Sequence, residues 1–339
     1  INIMVINDAS KDKTLSKLID TFKMKKLPTI IQNKIPAKPV KSVYVSTVVK
    51  NLIVIDKVNG GRADSINVGV NASVTPYFLT LDADTLMDEN AISELVFEVL
   101  TYPNTIVASG GVYILNGCDY KDGTIITPRM PYTLVPAIQS SEYIRSHLFN
   151  RTAWNYFGGT MCYSGTATLY DRKKIVEVGG YDTANFADDN EIIVRLHAYM
   201  HEHNIPYQMR FNPSSTFWTD VPHGFIEFAK QRNHWRRGML RSTLKYFRMF
   251  LNPRYKIQGL LGYPVFMLAD IFSPYVEFTA YFTVTLAYFL GILNGYSLIL
   301  YLLLAWGFTS YITLTNMFLN LVTYNRFKKL SDILWMFAL

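Results

Sequence analysis

The sequence predicts an α/β domain with a mainly parallel sheet, followed by interfacial and transmembrane helices. Within residues 1–226, apolar segments of strand length alternate with segments of helical periodicity, a pattern typical of βαβ units. Between residues 257 and 322 only Asp270 and Glu277 are charged, which is typical of a membrane region. The third observation is a pair of carboxylates, Asp82 and Asp84, at the end of an apolar strand segment. Ligands bind open α/β sheets at such strand ends.

The elements of the α/β part follow from periodicity and turn residues. A first strand spans residues 1–6, and apolar residues 15, 18, 19 and 22 predict a helix after the following turn. Asp88 is predicted to cap a helix with apolar residues 92, 95, 96, 99 and 100 on one face. The remaining expected elements are strands at 43–49, 51–55, 77–81 and 105–115, a helix at 64–72 and a helix that begins at Asp188.

The apolar part divides into spans. Residues 274–293 and 297–322 each have about the length that crosses a bilayer, and a further apolar segment begins near residue 332. Residues 258–273 contain Asp270 and Pro264, which favours an interfacial or re-entrant segment. The expected domains are 1–226, 227–273 and 274–339, with both chain ends truncated relative to the natural protein. The alternative is a pair of buried core helices in a soluble protein.

Basic residues flank the apolar part. Residues 228–256 contain nine Lys or Arg and no Asp or Glu, and residues 325–329 are basic again. Positive flanks mark the cytoplasmic side of a membrane and attract anionic lipids. Nucleic-acid binding is the competing interpretation, but the cluster adjoins apolar spans rather than a recognition module. We therefore expect a multi-pass membrane protein with a cytoplasmic catalytic domain, membrane lipids as partners and no nucleic acid.

The Asp82-x-Asp84 pair predicts a metal site. Hard divalent cations take carboxylate oxygens and often share them with substrate phosphates. The alternative for such a pair is a turn or a cap.

Two other clusters suggest a nucleotide. Asp8 follows the first strand, where a carboxylate could bond a base or ribose, although it could equally cap a helix. Lys57 and Arg62 flank Gly60-Gly61, and they offer positive charge to phosphate beside backbone that can approach a ligand closely. A solvated turn is the alternative.

Two clusters suggest an acceptor. Asp188-Asp189 opens a helix, where carboxylates either cap the helix or supply a general base. The segment 231–238 contains Gln231, Arg232, His234 and Trp235. One interpretation is a cationic amphipathic helix at a membrane surface. The other is a functional segment, in which the indole stacks on a sugar and the Arg and His side chains donate hydrogen bonds to a leaving diphosphate.

In chain order the clusters are Asp8, Gly60-Gly61-Arg62, Asp82-x-Asp84, Asp188-Asp189 and Gln231-Arg232-x-x-Trp235, followed by the apolar spans. This combination resembles the membrane-embedded family 2 glycosyltransferases with a GT-A domain, which include cellulose, chitin, hyaluronan and poly-N-acetylglucosamine synthases. The resemblance covers about residues 1–325. Residues 57–67 resemble the family's Gly-Gly-Lys-Ala-Asp-x-x-Asn segment, with Arg62 in place of Lys. His234 stands where the family usually has Arg, Asp188 where it has Glu, and the first strand of the fold is absent.

The resemblance implies a Rossmann-like GT-A domain and an inverting enzyme. It would transfer a sugar from a UDP-sugar to a growing polysaccharide, processively and coupled to export, at the cytosolic face of the plasma membrane. Asp82 and Asp84 would hold Mg²⁺ or Mn²⁺, and Asp189 would deprotonate the acceptor hydroxyl. Asp82 and Asp84, with Asp8, Lys57 and Arg62, would bind the nucleotide sugar. The residues expected to contact the acceptor or the diphosphate are Asp188, Gln231, Arg232, His234 and Trp235.

Two alternatives remain. One is a transferase that adds a single sugar to a lipid-linked or glycan acceptor, which His234 favours. The other is a degenerate nucleotide-binding subunit of a membrane polysaccharide complex with partner subunits. Retention of Asp82, Asp84, Asp189 and Trp235 argues against the second.

Overall fold

The computed structural model describes residues 1–324 and 326–338. Asn325 of the expected basic turn and Leu339 of the last expected apolar segment lie outside the described residues. The strands are β1 Ile3–Asn7, β2 Met24–Leu27, β3 Val40–Ser46, β4 Leu52–Lys57, β5 Tyr77–Thr80, β6 Leu86–Met87, β7 Thr105–Ile114, β8 Asp119–Lys121, β9 Thr124–Thr127, β10 Thr168–Asp171 and β11 Gln208–Thr219.

Helices lie at the segments predicted near residues 15–22, 64–72 and 92–100 and from residue 188, whereas those at 134–145 and 172–177 were not predicted. The helices are α1 Thr14–Thr21, α2 Arg62–Ala72, α3 Ala91–Thr101, α4 Leu134–Arg145, α5 Thr152–Trp154, α6 Arg172–Glu177, α7 Asp188–Glu202, α8 Phe225–Lys245, α9 Tyr263–Val265, α10 Ser273–Phe289, α11 Gly295–Tyr324 and α12 Leu330–Ala338. Turns of π-helix at Ser146–Arg151, Gln258–Gly262 and Phe266–Phe272 join several of them.

The strands form two main sheets and one hairpin. The sheets have the orders β1-β4-β3-β2 and β5-β10-β7-β11-β6, and β8 pairs with β9. Only β1 with β4 and β7 with β11 are parallel among the described pairs. The α/β class is thus confirmed, whereas the expected predominance of parallel pairs is not. One reason is the short connection 47–51 between β3 and β4, which suits antiparallel neighbours.

Strand β7 is the centre of the core. It lies between β10 and β11, and each of its residues is buried. Helix α3 packs Leu95 against Ala108 and Phe217 on one side of the sheet. A second cluster packs residues of α7 with β7 and β11; it includes Ile193, Leu196, Val107 and Met209. This central strand therefore positions β10 and β11 by direct pairing, and β5 through β10, and the candidate site lies at the edge where β5 ends.

The predicted cap at Asp88 is wrong. Helix α3 begins at Ala91 with Asn90 as the preceding cap residue. The Asp88 carboxylate instead accepts a hydrogen bond from the indole nitrogen of buried Trp218, at 2.9 Å. The Asp88 side chain thus binds the distant Trp218 rather than the end of α3 that the local sequence pattern indicated.

The apolar C-terminal part forms long helices. Gln258–Phe289 and Gly295–Tyr324 are the two helices of the described chain that are long and apolar enough to cross a membrane. The first begins within residues 258–273, where Tyr263, Phe266 and Ile271 are buried against the α/β part. This segment therefore starts as a helix docked on the domain and continues directly into the apolar helix α10.

Candidate active site

Asp8 lies where β1 ends and is held by the Gly-rich turn that precedes α2. Its carboxylate accepts hydrogen bonds from the Lys57 ammonium at 2.6 Å and from the backbone N–H groups of Gly60 and Gly61 at 2.8 and 2.7 Å. Burial alone would raise the pKa of Asp8, but Lys57 and the two N–H groups outweigh burial and lower the pKa. Asp8 is therefore held ionised in a fixed position.

Lys57 is enclosed behind Asp8. Its side chain is fully buried, and its nitrogen contacts Asp8, the Val58 carbonyl and the Asp64 carboxylate at 2.6, 2.8 and 2.6 Å. Asp64 in turn accepts a hydrogen bond from the Lys38 backbone at 3.0 Å. In this arrangement Lys57 orders the turn that carries Asp8 and has no exposed surface for a ligand.

Asp82 and Asp84 follow β5 in a tight turn. The hydroxyl of Thr166 accepts a hydrogen bond from the Asp82 backbone nitrogen at 3.1 Å, and the Thr85 nitrogen donates to the Asp82 carbonyl at 3.1 Å. The Asp82 side chain is 45% exposed, and Asp84 is exposed. Both carboxylates therefore face a solvent-accessible space, as a ligand-binding pair requires.

Arg62 joins the Asp82 turn to the start of α7. Its guanidinium donates to Asp82 at 3.1 Å, to both oxygens of Asp188 at 2.9 Å and to the Gly165 carbonyl at 2.6 Å. Burial would lower the pKa of Arg62, but the carboxylates of Asp188, Asp82 and Asp189 raise it above its ordinary value. The two bonds to Asp188 come from one nitrogen, Nη1, while Nε and Nη2 bind Asp82 and Gly165, so a single guanidinium is shared among three partners.

Asp188 and Asp189 form the first turn of α7. Burial raises the pKa of Asp188 to about 6, although the Arg62 charge acts in the opposite direction. Asp189 lies against Gly165, since a Cβ added there would come 2.7 Å from one Asp189 carboxylate oxygen. The other oxygen accepts from the Asn190 backbone at 2.9 Å. Gly165 thus leaves room for a carboxylate beside the Arg62 contact.

Helix α8 brings the Gln231–Trp235 segment next to α7. The two helices approach closely at Gly238, where an added Cβ would lie 2.6 Å from the Ala187 side chain and against its backbone. Arg232 forms two hydrogen bonds with Glu142 of α4 at 2.9 and 2.7 Å. The exposed His234 ring contacts Phe186, with 5.1 Å between the ring centres. The small residue at position 238 therefore sets the distance between these side chains and Asp189.

One cavity of about 600 Å³ brings these groups together. Of the predicted site residues, it is lined by Arg62, Asp82, Asp84, Asp188, Asp189, Gln231, Arg232, His234 and Trp235. Asp8 and Lys57 lie outside this lining, behind the start of α2. The prediction missed Glu142, Arg151 and Asp270, which also line the cavity. Their segments carry no recognisable motif, and Asp270 was considered only as a charge within an apolar segment.

The donor atoms suit a divalent cation that is shared with a ligand. The described residues contain no group of three or more His, Cys, Asp and Glu side chains that could hold a metal by themselves. Asp82 and Asp84 supply hard carboxylate oxygens, and such cations commonly combine one or two carboxylates with phosphate oxygens and water. The residues therefore fit Mg²⁺ or Mn²⁺ bound together with a diphosphate.

Known proteins match this chain across the same region. The family model described as Glycosyl transferase family group 2 matches residues 77–325. A poly-β-1,6-N-acetyl-D-glucosamine synthase of Staphylococcus aureus strain COL is 24% identical over 228 residues, which are 67% of this chain and 50% of that protein. The corresponding Staphylococcus epidermidis synthase is 24% identical over 182 residues, 54% of this chain and 39% of that protein. The chain thus spans about half or less of the length of these curated relatives.

A solved structure shares the fold. It is a mannosyltransferase from Pyrobaculum calidifontis in complex with GDP-mannose and Mn²⁺, with a TM-score of 0.58 and 16% identity. The match covers 94% of this chain and 77% of that one. The GT-A-like architecture expected from the sequence is confirmed by this likeness.

Proposed function

Because the chain belongs to Glycosyl transferase family group 2, we propose that it transfers a sugar from a UDP-sugar to a growing polysaccharide at the cytosolic membrane face. The chain is a glycosyltransferase, and its family implies a nucleotide-sugar donor and a glycan acceptor. The observation that carries the proposal is the single cavity that Asp82, Asp84, Asp189 and Trp235 line. The similarity to poly-N-acetylglucosamine synthases favours a polymer of N-acetylhexosamine.

The donor binds at the sheet edge. A divalent cation held by Asp82 and Asp84 would supply charge neutralisation for the leaving diphosphate. Asp8, fixed by Lys57 and the Gly60-Gly61 turn, binds the nucleoside. Arg62 releases Asp82 and turns its guanidinium to the diphosphate, for which its planar fork is well suited. The residues thus hold the sugar's anomeric carbon toward α7.

Asp189 acts as the general base. Its carboxylate takes the proton of the acceptor hydroxyl, whose oxygen forms a bond to the anomeric carbon as the bond to the diphosphate oxygen breaks. The nucleoside diphosphate leaves with the electron pair of that bond, and attack from the opposite face inverts the configuration. Trp235 stacks on the acceptor, while Gln231 and His234 contact the acceptor or the diphosphate.

The polymer product depends on the membrane helices. The helix Gln258–Phe289 contributes Ala269, Asp270 and Ser273 to the cavity lining. The acceptor end therefore adjoins an apolar helix of spanning length, which supports processive elongation coupled to export, with membrane lipids and possible partner subunits around it. A second candidate is the addition of one sugar to a lipid-linked or glycan acceptor, and His234 in place of Arg favours it.

The test is nucleoside diphosphate release by the full chain in membranes or detergent, with Mn²⁺ or Mg²⁺ and a panel of UDP-sugars. We expect release with one donor, a polymeric product and a loss of at least about a hundredfold in Asp189→Asn. Asp119→Asn on the exposed hairpin is the matched control. A one-sugar product supports the second candidate. No release with any donor from folded protein contradicts both and supports a non-catalytic subunit.

A further inference from the structure

An ion pair connects helices α4 and α8 at the wall of the cavity. The Arg232 guanidinium donates two hydrogen bonds to the two oxygens of Glu142, at 2.9 and 2.7 Å. Glu142 is 45% exposed and Arg232 is 21% exposed. Since an exposed pair contributes only about 0–1 kcal/mol to stability, this contact holds little of the fold together. Its bidentate geometry instead fixes the orientation of Arg232.

Arg232 lies between two aromatic rings of its own helix. The guanidinium carbon is 4.8 Å from the Phe228 ring centre and 4.6 Å from the Trp235 ring centre. These residues precede and follow Arg232 by four and three positions, so all three share one face of α8. The cation thus lies over one face of the Trp235 indole, and Trp235 lines the cavity.

Gln231 presents an unsatisfied group at the same place. Its side-chain oxygen is buried and has no hydrogen-bond partner among the described residues, and Gln231 lines the cavity beside Trp235. An unpaired buried acceptor costs about 1–3 kcal/mol. A sugar hydroxyl that donates to this oxygen would remove that cost. A polar acceptor atom next to an aromatic face is the combination that a neutral sugar ring requires.

We propose that Glu142 and Arg232 are positioning residues for an acceptor subsite formed by Trp235 and Gln231. Glu142 holds Arg232, Arg232 holds the indole, and the terminal sugar of the acceptor stacks on the opposite indole face with one hydroxyl bonded to Gln231. Two of the five N–H donors of Arg232 are directed to Glu142, and we assign this arginine to the acceptor side of the cavity rather than to the diphosphate. The inference rests on the proposed function and assigns the subsite a neutral sugar.

The test measures acceptor binding and donor binding separately. The probes are a β-1,6-linked N-acetylglucosamine oligomer as acceptor and UDP with Mn²⁺ as donor-site ligand. In Glu142→Gln we expect the acceptor KM to rise about two- to fivefold through misplacement of the indole, an effect of the size that loss of one exposed ion pair produces. The affinity for UDP with Mn²⁺, and the rate of donor hydrolysis without acceptor, are expected to stay as in the wild type. Arg232→Lys keeps the positive charge but loses the two-nitrogen geometry. Its acceptor KM should lie between that of the wild type and that of Glu142→Gln.

A second ion pair gives the matched control. Arg210 contacts Glu98 at 2.5 Å through one nitrogen and lies 3.3 Å from the Tyr102 ring centre, so it is also an ion-paired arginine on an aromatic ring, but outside the cavity lining. Glu98→Gln should lower thermal stability more than Glu142→Gln, because this pair is more buried, yet leave the acceptor KM unchanged.

The inference is overturned if Glu142→Gln weakens UDP binding as much as acceptor binding, or changes neither. An acceptor KM raised equally by Glu98→Gln would also overturn it, since general loosening would then explain the effect. Absence of turnover in the wild type would count against the proposed function instead. Equilibrium binding of the oligomer, measured by NMR for each variant, still tests the subsite in that case.

Discussion

At the scale of single residues, Arg62 organises the cavity. One guanidinium contacts the Asp82 side chain, the Asp188 side chain and the Gly165 carbonyl, which come from three separate parts of the chain. Removal of the negative charge of Asp82 or of Asp188 is expected to change the position of the Arg62 guanidinium. The state of Asp188 is therefore expected to control the donor site from the acceptor side.

The first prediction concerns pH. Because burial raises the pKa of Asp188 to about 6, Asp188 gains a proton as the pH falls through this value, and Arg62 then loses the negative charge of this partner. We expect kcat/KM for the donor to fall as the pH is lowered below about 6. In Asp188→Asn this decrease at low pH should be absent, and kcat/KM for the donor should be lower than in the wild type at all pH values. If kcat/KM of the variant still decreased below the same pH, a group other than Asp188 would control the decrease.

The second prediction concerns the metal. Removal of divalent cations with EDTA should abolish transfer, and Mn²⁺ should restore it. Asp82→Asn and Asp84→Asn should each weaken Mn²⁺-dependent UDP binding at least about tenfold, since a ligand of the cation loses its charge. Calorimetry measures this, with Asp119→Asn as control. Equal UDP affinity with and without metal in all proteins would refute the assignment of these carboxylates.

Sequence reasoning found the residues with a local signal. Asp82 and Asp84 were identifiable because a strand ends beside them, and Asp189 because it opens a helix. Glu142 was not identifiable, since its importance comes from a contact with Arg232 across 90 positions. The enclosure of Lys57 was equally invisible, because a Lys next to Gly-rich sequence usually suggests an exposed cation.

At the scale of elements, the distance between α7 and α8 determines the cavity. Gly238 packs on Ala187 without space for a methyl group. The indole of Trp235 and the carboxylate of Asp189 belong to these two helices. A side chain at position 238 is therefore expected to move the indole of Trp235 relative to the carboxylate of Asp189.

The third prediction is that Gly238→Ala separates the helices. We expect the free energy of unfolding to fall by about 1–3 kcal/mol through overpacking and the acceptor KM to rise. Gly69→Ala is the control, because an added Cβ there meets nothing within 4 Å in the interior of α2. It should raise stability by about 0.5–1 kcal/mol through helix propensity. Thermal unfolding and initial rates measure both variants, and a stabilised, fully active Gly238→Ala would contradict the packing.

Elements were easier to predict than their pairing. The helical segment 64–72 became α2, Arg62–Ala72, which begins directly after the two glycines Gly60 and Gly61. The order β5-β10-β7-β11-β6 could not be read from the chain, since β10 enters between β5 and β7 from a distant position. Strand β2 was missed because only Met24 of its four residues is buried, which gives no alternation to detect.

At the scale of the whole molecule, the end of α11 is fixed to the α/β core. Arg326 is buried and donates hydrogen bonds to the hydroxyl of Tyr113 at 2.6 Å and to Thr216. The Tyr113 hydroxyl also donates to Asn320 of α11 at 3.2 Å. The candidate membrane helix and the two central strands β7 and β11 are thereby linked through one arginine.

The fourth prediction is that Arg326→Met loosens this link. Loss of the hydrogen bonds at a buried site should lower the free energy of unfolding by about 1–3 kcal/mol. Hydrogen exchange of α12 in the full chain in detergent should become faster. Lys328→Met, two positions away and exposed, should change neither quantity. Unaltered exchange in Arg326→Met would mean that apolar packing alone holds α11 and α12 on the domain.

The burial of Lys57 has a consequence for chemical labelling. Amine-reactive acylating reagents modify lysines that solvent can reach, such as exposed Lys50, whereas the nitrogen of Lys57 is enclosed by Asp8, Asp64 and the Val58 carbonyl. Lys57 becomes reactive only when the turn that holds Asp8 opens. Mass spectrometry of this one peptide thus reports whether the turn around Asp8 is closed, before any donor sugar has been identified.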